Sequence, residues 1–273
     1  MSPRKTVWLG FLSAFLFIPL LSGCANFARS NAPLTFQQIY KEADYVAYIT
    51  VVDVIRITKT KEKVHEVHRS LSGFVWLDET GKQYIFSACH IQRDRKMNIR
   101  RQNKDGSVDE FEGELKAEKI TAHFQDELNI PPQELVLLGC DSLVDATLLA
   151  FKDKNFWFKK NFAVLGDSSK LNVADPVMAL GSPLGYKWMG AVGHIMNLRI
   201  GKDFGYEGYK NGGLIVHSAM MNFGSSGGPL VNARGEVIGL NILIHGDVNQ
   251  IGMANRINDV KAILKDLKNG VIR

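Results

Sequence analysis

Short segments rich in β-branched and aromatic residues, separated by turn residues, constrain the fold of this chain more than any other feature. Residues 45–52 read YVAYITVV, residues 72–77 read SGFVWL and residues 84–86 read YIF. Between the last two lies DETGK at 78–82, a composition typical of a turn. Many short strands of this kind predict an all-β fold, either a barrel or a sandwich.

Two other stretches differ from this pattern. Residues 92–133 are polar and charged, with a basic beginning, and we expect a solvated loop or hairpin there. A helical pattern returns only at 258–267. The chain has 273 residues, of which 45% are hydrophobic and 22% charged. This composition excludes a disordered protein, and the length accommodates two packed barrels of about 100 residues each.

The N-terminus has the pattern of a targeting segment. Arg4 and Lys5 precede an uncharged stretch at 7–21, as in a secretory signal. That stretch is shorter than the about 20 residues that span a bilayer as a helix. It ends in LSGC at 21–24, which resembles the lipobox of bacterial lipoproteins. A plain signal peptide with an incidental cysteine is the alternative.

The lipobox resemblance implies cleavage before Cys24 and acylation of that residue. Several acyl chains on one residue anchor a protein firmly, where a single chain would not. Residue 25 is Ala rather than Asp, which by analogy favours the outer membrane, with the protein facing the periplasm.

Charge and histidine spacing argue against several other classes of function. Loss of Arg4 and Lys5 with the signal lowers the net charge from +5 to +3, which is too small to indicate nucleic-acid binding. His65 and His68 lie three residues apart in a strand-like stretch, so their side chains point to opposite faces. We therefore expect no nucleic acid, no metal and no cofactor.

The strongest local signal is a serine crowded by glycines, in GSSGGPL at 224–230. Gly224 and Gly227 let the backbone turn tightly and leave room for a substrate carbonyl. The amides of Gly224 and Ser226 can converge on one point, as an oxyanion hole requires. Glycine-flanked serines also occur in plain turns, so this motif needs support from elsewhere in the chain.

That support comes from a histidine and an aspartate. A serine hydroxyl is a poor nucleophile and needs an adjacent base, which in turn needs an orienting acid. His90 ends SACH at 87–90, and Asp145 begins the apolar run DATLLAF. Asp141 competes as the acid, but the apolar run follows Asp145 directly, so we favour Asp145. The order His90, Asp145, Ser226 is the order found in chymotrypsin-type barrels.

Over residues 44–258 the chain resembles the HtrA/DegP family of trypsin-like serine proteases. The motifs that carry the resemblance are SGFV at 72–75, SACH at 87–90, the run after Asp145, LGDSSKL at 165–171, VMALGSPLG at 177–185, GSSGGPL at 224–230 and GEVIGLN at 235–241. The resemblance implies an all-β fold of two six-stranded antiparallel barrels of the chymotrypsin type with a short C-terminal helix. It also implies a serine endopeptidase that acts on polypeptides, unfolded or exported proteins of the cell envelope.

The family pattern also predicts the division of the chain. We expect a signal peptide, a tether, two barrels, and a C-terminal helix with a tail, at 1–23, 24–43, 44–155, 156–258 and 259–273. We expect no PDZ domain, because the chain ends soon after the second barrel. The sequence does not indicate an oligomeric state.

Two departures from the family pattern flank the nucleophile. Ser225 stands where the family usually has Asn, and Phe223 stands where it usually has Pro. Phe223 can alter the resting shape of the oxyanion loop. The alternative function is therefore a weak or inactive barrel that acts as an envelope binding or chaperone-like protein.

The resemblance also suggests a substrate pocket. Met220, six residues before Ser226, occupies the place where trypsin-like pockets carry their acid. The opposite wall is assigned to three branched apolar residues, Ile242, Leu243 and Ile244. An apolar pocket penalises a buried Arg or Lys, so we predict cleavage after small to medium aliphatic residues. His217 and His245 can border this pocket and add polarity.

Cys89 and Cys140 remain. Cys89 precedes His90, and Cys140 lies shortly before Asp145, so the two come close together if the triad is real. An exported protein sits in an oxidising compartment where they can pair. Free buried thiols are the simpler interpretation, and the sequence leaves both open.

Overall fold

The computed structural model describes residues 33–57, 64–92, 96–102, 105–200, 213–244 and 251–273. The predicted signal peptide, Cys24 and His245 lie outside the described residues. Within those ranges, no helix combines the length and the apolar character needed to cross a membrane.

Seven strands make up the first half of the structure. They are β1 (Val46–Ile57), β2 (Val64–Leu77), β3 (Gln83–Ser87), β4 (Lys96–Gln102), β5 (Val108–His123), β6 (Gln133–Asp141) and β7 (Ala146–Phe151). The order in the sheet is β1-β2-β3-β7-β6-β5-β4, and a further β1–β5 pairing closes six of these strands into a barrel. β4 forms a hairpin with the first half of β5, within the polar stretch where a loop or hairpin was expected. The second half of β5 pairs with β1 and β6 in the barrel wall, so for that part of the stretch the expectation is wrong.

Alternation along β1 shows why these residues form a barrel wall. Every second side chain is fully buried: Ala47, Ile49, Val51, Asp53 and Ile55. The residues between them are partly exposed. This period of two places one face of the strand in the core.

Seven more strands make up the second half. They are β8 (Val164–Leu165), β9 (Pro176–Gly181), β10 (Met189–Ile200), β11 (Leu214–His217), β12 (Pro229–Asn232), β13 (Glu236–Ile244) and β14 (Gly252–Arg256). The order is β12-β9-β10-β11-β14-β13-β8, and a β12–β13 pairing closes the second six-stranded barrel. The predicted fold of two closed six-stranded antiparallel barrels is confirmed. One apolar core contains residues of both barrels, among them Phe74, Phe86, Val231 and Leu240.

Three short helices flank the barrels. They are α1 (Phe36–Glu42), α2 (Ile257–Ala262) and α3 (Leu264–Lys268). α1 falls inside the span predicted as a tether, and it begins with a capping box between Thr35 and Gln38. After α3, residues 271–273 return to the first barrel, where Cys140 N donates to Val271 O at 2.9 Å and Arg273 N donates to Cys140 O at 3.0 Å.

Candidate active site

His90 and Asp145 lie together at one end of the first barrel. His90 sits in a 3₁₀ turn, Cys89–Ile91, just after β3. Asp145 directly precedes β7, and its φ of 47° turns the chain there. His90 Nδ1 and Asp145 Oδ2 are 2.8 Å apart, and the His90 backbone N–H donates to Asp145 Oδ1 at 2.9 Å. One carboxylate therefore fixes both the backbone and the ring of His90.

The two aspartates that competed in the sequence have different surroundings. Asp141 does not bond His90. Its Oδ1 accepts hydrogen bonds from the backbone N–H groups of Leu143 and Val144, both at 3.0 Å. Its Oδ2 accepts from Arg273 Nε at 2.7 Å. Asp141 thus shapes the turn, which we call the acid loop (residues 141–145), that presents Asp145 to His90.

A disulfide joins the two segments that carry this pair. Cys89 and Cys140 are bonded, with their Cα atoms 5.3 Å apart. The interpretation of free buried thiols is therefore wrong. The bond connects the residue before His90 to the end of β6, just before the acid loop, so it links the segments that carry His90 and Asp145 covalently.

A buried ion pair supports the 3₁₀ turn that carries His90. Arg69 Nε donates to Asp53 Oδ2 at 2.7 Å, and the Asp53 side chain is fully buried. Arg69 Nη1 donates to the backbone carbonyl of Ile91 at 2.7 Å. The guanidinium thus links strands β1 and β2 to the residue after His90.

The second barrel presents Ser226 in the loop that we call the nucleophile loop (residues 222–228). Gly224 has φ +97° and Gly227 has φ +85°, a region that favours glycine. A Cβ at Gly224 would lie 2.5 Å from Ser182 O, and one at Gly227 would collide with Ser72 O. These two positions therefore require glycine both for backbone conformation and for space.

Two amides of the nucleophile loop are available to a ligand. Across the described residues, neither the Gly224 N–H nor the Ser226 N–H donates to a protein acceptor. The neighbouring amides of Ser225 and Gly227 are satisfied, by Asn222 O at 2.9 Å and Asn241 O at 2.6 Å. The two unsatisfied amides are the two predicted for the oxyanion hole.

Ser72 of the first barrel holds this loop. Its N–H donates to Ser226 O at 2.8 Å, and its Oγ donates to Gly224 O at 2.7 Å. The same Oγ accepts from Ser182 N at 2.8 Å. Sequence reasoning used Ser72 only as part of a family motif. The signal available in the sequence was a serine inside the mostly apolar run LSGFVWL at 71–77, and in the structure that serine is fully buried and hydrogen-bonded.

The Ser226 hydroxyl is hydrogen-bonded to a backbone carbonyl of its own barrel. Its Oγ donates to the backbone carbonyl of Ile242 at 3.1 Å. Among the described hydrogen bonds, none joins Ser226 Oγ to the ring of His90. The structure therefore brings the predicted base and acid together, and places the predicted nucleophile in a different hydrogen bond.

Among the predicted pocket residues whose side chains the structure describes, Met220 borders a cleft and Ile242 does not. Met220 is 70% exposed and borders a cleft of about 390 Å³ with Met189, Val192 and Asn241. Ile242 is only 6% exposed and does not border this cleft. The β13–β14 register shifts between Asn241 and Leu243, and such a bulge breaks the simple alternation of faces. The side chains of Leu243 and Ile244 lie outside the described residues, so the pocket assignment stays a prediction.

His217, suggested as a pocket border, is fully buried at the end of β11 and does not line the cleft. Burial lowers the pKa of His217 to about 4, although the nearby Asn241 side chain and the Ala219 backbone oppose that shift. Neither ring nitrogen, nor Asn241 Oδ1, has a hydrogen-bond partner among the described residues. His217 is therefore neutral at pH 7, and it is a buried residue of the second barrel rather than part of the pocket border.

Comparison with known proteins agrees with this fold. The profile of a family described as a trypsin-like peptidase domain matches residues 71–240, the segment that contains His90, Asp145 and Ser226. The chain belongs to the trypsin-like peptidase family. Within it, the domain is of the HtrA/DegP-like serine protease type, as the following relatives show.

The chain is 31% identical over 207 residues to serine protease Do-like HtrB of Bacillus subtilis (strain 168), covering 74% of this chain and 39% of that protein. It is 43% identical over 110 residues to the putative serine protease HhoA of Synechocystis, covering 40% of this chain and 27% of that protein. The chain thus spans about two fifths or less of the length of these relatives.

A solved structure of the HtrA-type protease AlgW with a tripeptide is similar in fold. The TM-score is 0.61 at 19% identity, and the match covers 86% of this chain and 64% of that one. This likeness supports the double barrel.

Proposed function

We propose that this protein is a serine endopeptidase of the cell envelope that hydrolyses peptide bonds of polypeptide substrates through Ser226, His90 and Asp145. The observation that carries the proposal is the double hydrogen bond between one Asp145 carboxylate and His90, at 2.8 and 2.9 Å. A surface ion pair would not need to fix both the ring and the backbone of a histidine. A base held in one orientation is what a serine nucleophile requires.

The reaction is acyl transfer to water. Ser226 Oγ attacks the substrate carbonyl carbon while His90 Nε2 takes the hydroxyl proton, and Asp145 stabilises the imidazolium that forms. The carbonyl oxygen becomes an oxyanion, which the free amides of Gly224 and Ser226 bind. His90 then protonates the leaving amine, and water repeats the sequence on the ester.

One rearrangement precedes the attack. The Ser226 hydroxyl must leave the Ile242 carbonyl and direct its proton to His90 Nε2. Rotation about the Cα–Cβ bond of a serine is a fast side-chain motion that needs no refolding of the loop. Only the rotated state can form the ester.

The test is covalent labelling by a fluorophosphonate probe, followed by cleavage of denatured casein. We expect the label on Ser226 and its loss in Ser226→Ala. The control is Ser168→Ala, a buried serine of the second barrel whose hydroxyl accepts from Asn258 N, which should retain labelling. Undiminished casein cleavage by Ser226→Ala would overturn the proposal. An unlabelled wild-type protein that suppresses aggregation of casein would favour the chaperone-like alternative.

We also propose a lipid anchor on Cys24 and a location at the outer membrane facing the periplasm, supported by LSGC at 21–24 and Ala25. Mass spectrometry of the mature N-terminus should find acylated Cys24, and Cys24→Ser should release the protein or block its processing. An unmodified N-terminus at another residue would contradict the anchor.

The proposed specificity is for small to medium aliphatic residues before the scissile bond. It is supported by the apolar character of Met220 and of residues 242–244. A proteome-derived peptide library measures this preference directly. A dominant preference for Arg or Lys would contradict the placement of Met220.

A further inference from the structure

One buried side chain of the second barrel contacts the acid loop of the first. Asn255 lies in β14 and is fully buried. Its Nδ2 donates a hydrogen bond to the backbone carbonyl of Val144, 111 residues away in the chain. Val144 directly precedes Asp145, so this bond acts on the peptide unit from which Asp145 begins.

The chemistry of the contact fixes the orientation of the amide. A backbone carbonyl only accepts hydrogen bonds, so the NH₂ of Asn255 must face Val144. The Oδ1 of Asn255 has no partner among the described residues. Burying an amide with one unsatisfied oxygen is unfavourable, and a leucine of similar volume would avoid that penalty. Packing alone therefore does not explain an asparagine at this position.

The Val144–Asp145 peptide plane controls where the Asp145 carboxylate points. Asp145 has a φ of 47°, a conformation that non-glycine residues adopt only when the surroundings hold them there. Asp141 holds the N–H of Val144 from within the first barrel. That N–H belongs to the peptide unit before Val144. Asn255 holds the carbonyl of Val144, which belongs to the Val144–Asp145 peptide, from the second barrel. The two peptide units that flank Val144 are therefore held from different barrels.

Asn255 also belongs to the framework of the nucleophile. It is paired with Leu240 in the β13–β14 ladder. Two residues further along β13, the Ile242 carbonyl accepts the Ser226 hydroxyl. The paired strands β13 and β14 thus contact both Ser226 and the peptide unit that precedes Asp145.

We propose that Asn255 is a positioning residue that aligns Asp145, and through it His90, with Ser226 across the barrel interface. This inference rests on the proposed protease function. Misplacement of a reacting group by about 1 Å costs on the order of 100-fold in rate. Loss of the Asn255 donor should therefore lower kcat by about 10- to 100-fold, while KM for a peptide substrate changes less than about 3-fold.

The test compares Asn255→Leu with the matched control Asn258→Leu. Asn258 is the next asparagine along the chain, and its side chain bonds Asp167 and the Ser168 amide, away from the acid loop. Two quantities are measured: the rate of fluorophosphonate labelling, and the far-downfield NMR resonance of the His90 Nδ1 proton. We expect Asn255→Leu to slow labelling and to shift or broaden the resonance, and Asn258→Leu to alter neither.

If Asn255→Leu fails to fold, Asn255→Ala removes the donor without adding volume and gives the same comparison. An unchanged His90 resonance in the folded Asn255 variant would overturn the positioning role, whatever the activity of the protein. Equal slowing of labelling by both asparagine variants would overturn it too. Absence of labelling in the wild type would instead count against the proposed protease function, and the resonance would still decide the role of Asn255.

Discussion

The two halves of the candidate active site are held by different kinds of interaction. The acid–base half has a disulfide next to His90, a carboxylate bonded twice to His90, and the buried Arg69–Asp53 pair. Among the described residues, the nucleophile loop is held by neutral hydrogen bonds, chiefly from Ser72, and by glycine turns. The acid–base half is therefore built in advance, whereas Ser226 must still change its hydrogen bond.

The largest expected effect on activity distinguishes the two aspartates of the acid loop, Asp145 and Asp141. Asp145→Asn should lower kcat by about 10⁴-fold, because an amide stabilises the wrong tautomer of His90. Asp141→Asn should leave kcat within about 10-fold and lower the free energy of unfolding by about 1–3 kcal/mol, since it weakens hydrogen bonds to the loop. Peptidase kinetics and urea unfolding measure the two effects. Equal loss of kcat in both variants would mean that Asp145 has no special role.

Reduction of the Cys89–Cys140 disulfide in the acid–base half should destabilise the protein. The disulfide closes a loop with a sequence separation of 51 residues. A bond of that span stabilises a fold by about 4 kcal/mol through the entropy of the unfolded chain. We expect the Cys89→Ser, Cys140→Ser double variant to lose about that much in urea unfolding. Dithiothreitol should not destabilise this double variant further. If it does, the reductant acts at a site other than the Cys89–Cys140 disulfide.

Low pH should destabilise the second barrel, which carries the nucleophile loop, through His217. Because the pKa of His217 is about 4 in the folded protein and about 6.5 when unfolded, only the unfolded chain gains a proton between these values. Stability is therefore complete above about pH 6.5 and falls by on the order of 3 kcal/mol as pH decreases to about 4.

The measurement is urea unfolding from pH 7.5 to pH 4.5, with His217→Gln as the comparison. The variant lacks a titrating group at this position, so it should lose less stability across the same range. Parallel curves for the two proteins would assign the acid sensitivity to other groups.

The smallest effect is expected at Ser72. Ser72→Ala removes the donor to Gly224 O and should lower kcat by about 10-fold, because the oxyanion amides are then less well oriented. The control is Thr147→Val, which removes a buried hydroxyl that donates to Gly139 O within the first barrel. Both variants should lose about 1–2 kcal/mol of stability. An equal loss of kcat in both would argue against a special role for Ser72.

The sequence predicted the parts of the site that depend on local chemistry. The glycines at 224 and 227 are read from the motif because positive φ values there exclude most other residues. Asp145 was preferred over Asp141 from the apolar run that follows it, and Asp145 is the one beside His90. The family resemblance then supplied the barrel count, which short strands alone left open.

The parts that sequence reasoning missed depend on contacts between distant segments. Ser72 and Gly224 are 152 residues apart, and only barrel packing places one against the other. The same holds for the pairing of Cys89 with Cys140. The pocket wall at 242–244 is also difficult to predict from the sequence. The register shift in β13 interrupts the alternation of side chains between the two faces of the strand, on which such an assignment relies. In contrast, the capping box of α1 depends only on the local residues Thr35 and Gln38, so the sequence alone is enough to predict it.

The return of residues 271–273 to Cys140 has a consequence for biosynthesis. Ser142 N donates to Arg273 O at 2.7 Å, so the acid loop is completed by residues synthesised about 130 positions later. At roughly 5–20 residues per second, translation separates the two partners by many seconds. The first barrel can collapse during that time, but its acid loop reaches its final form only after the second barrel has been made. The acid loop is therefore a late-forming part of a barrel whose strands are all synthesised early.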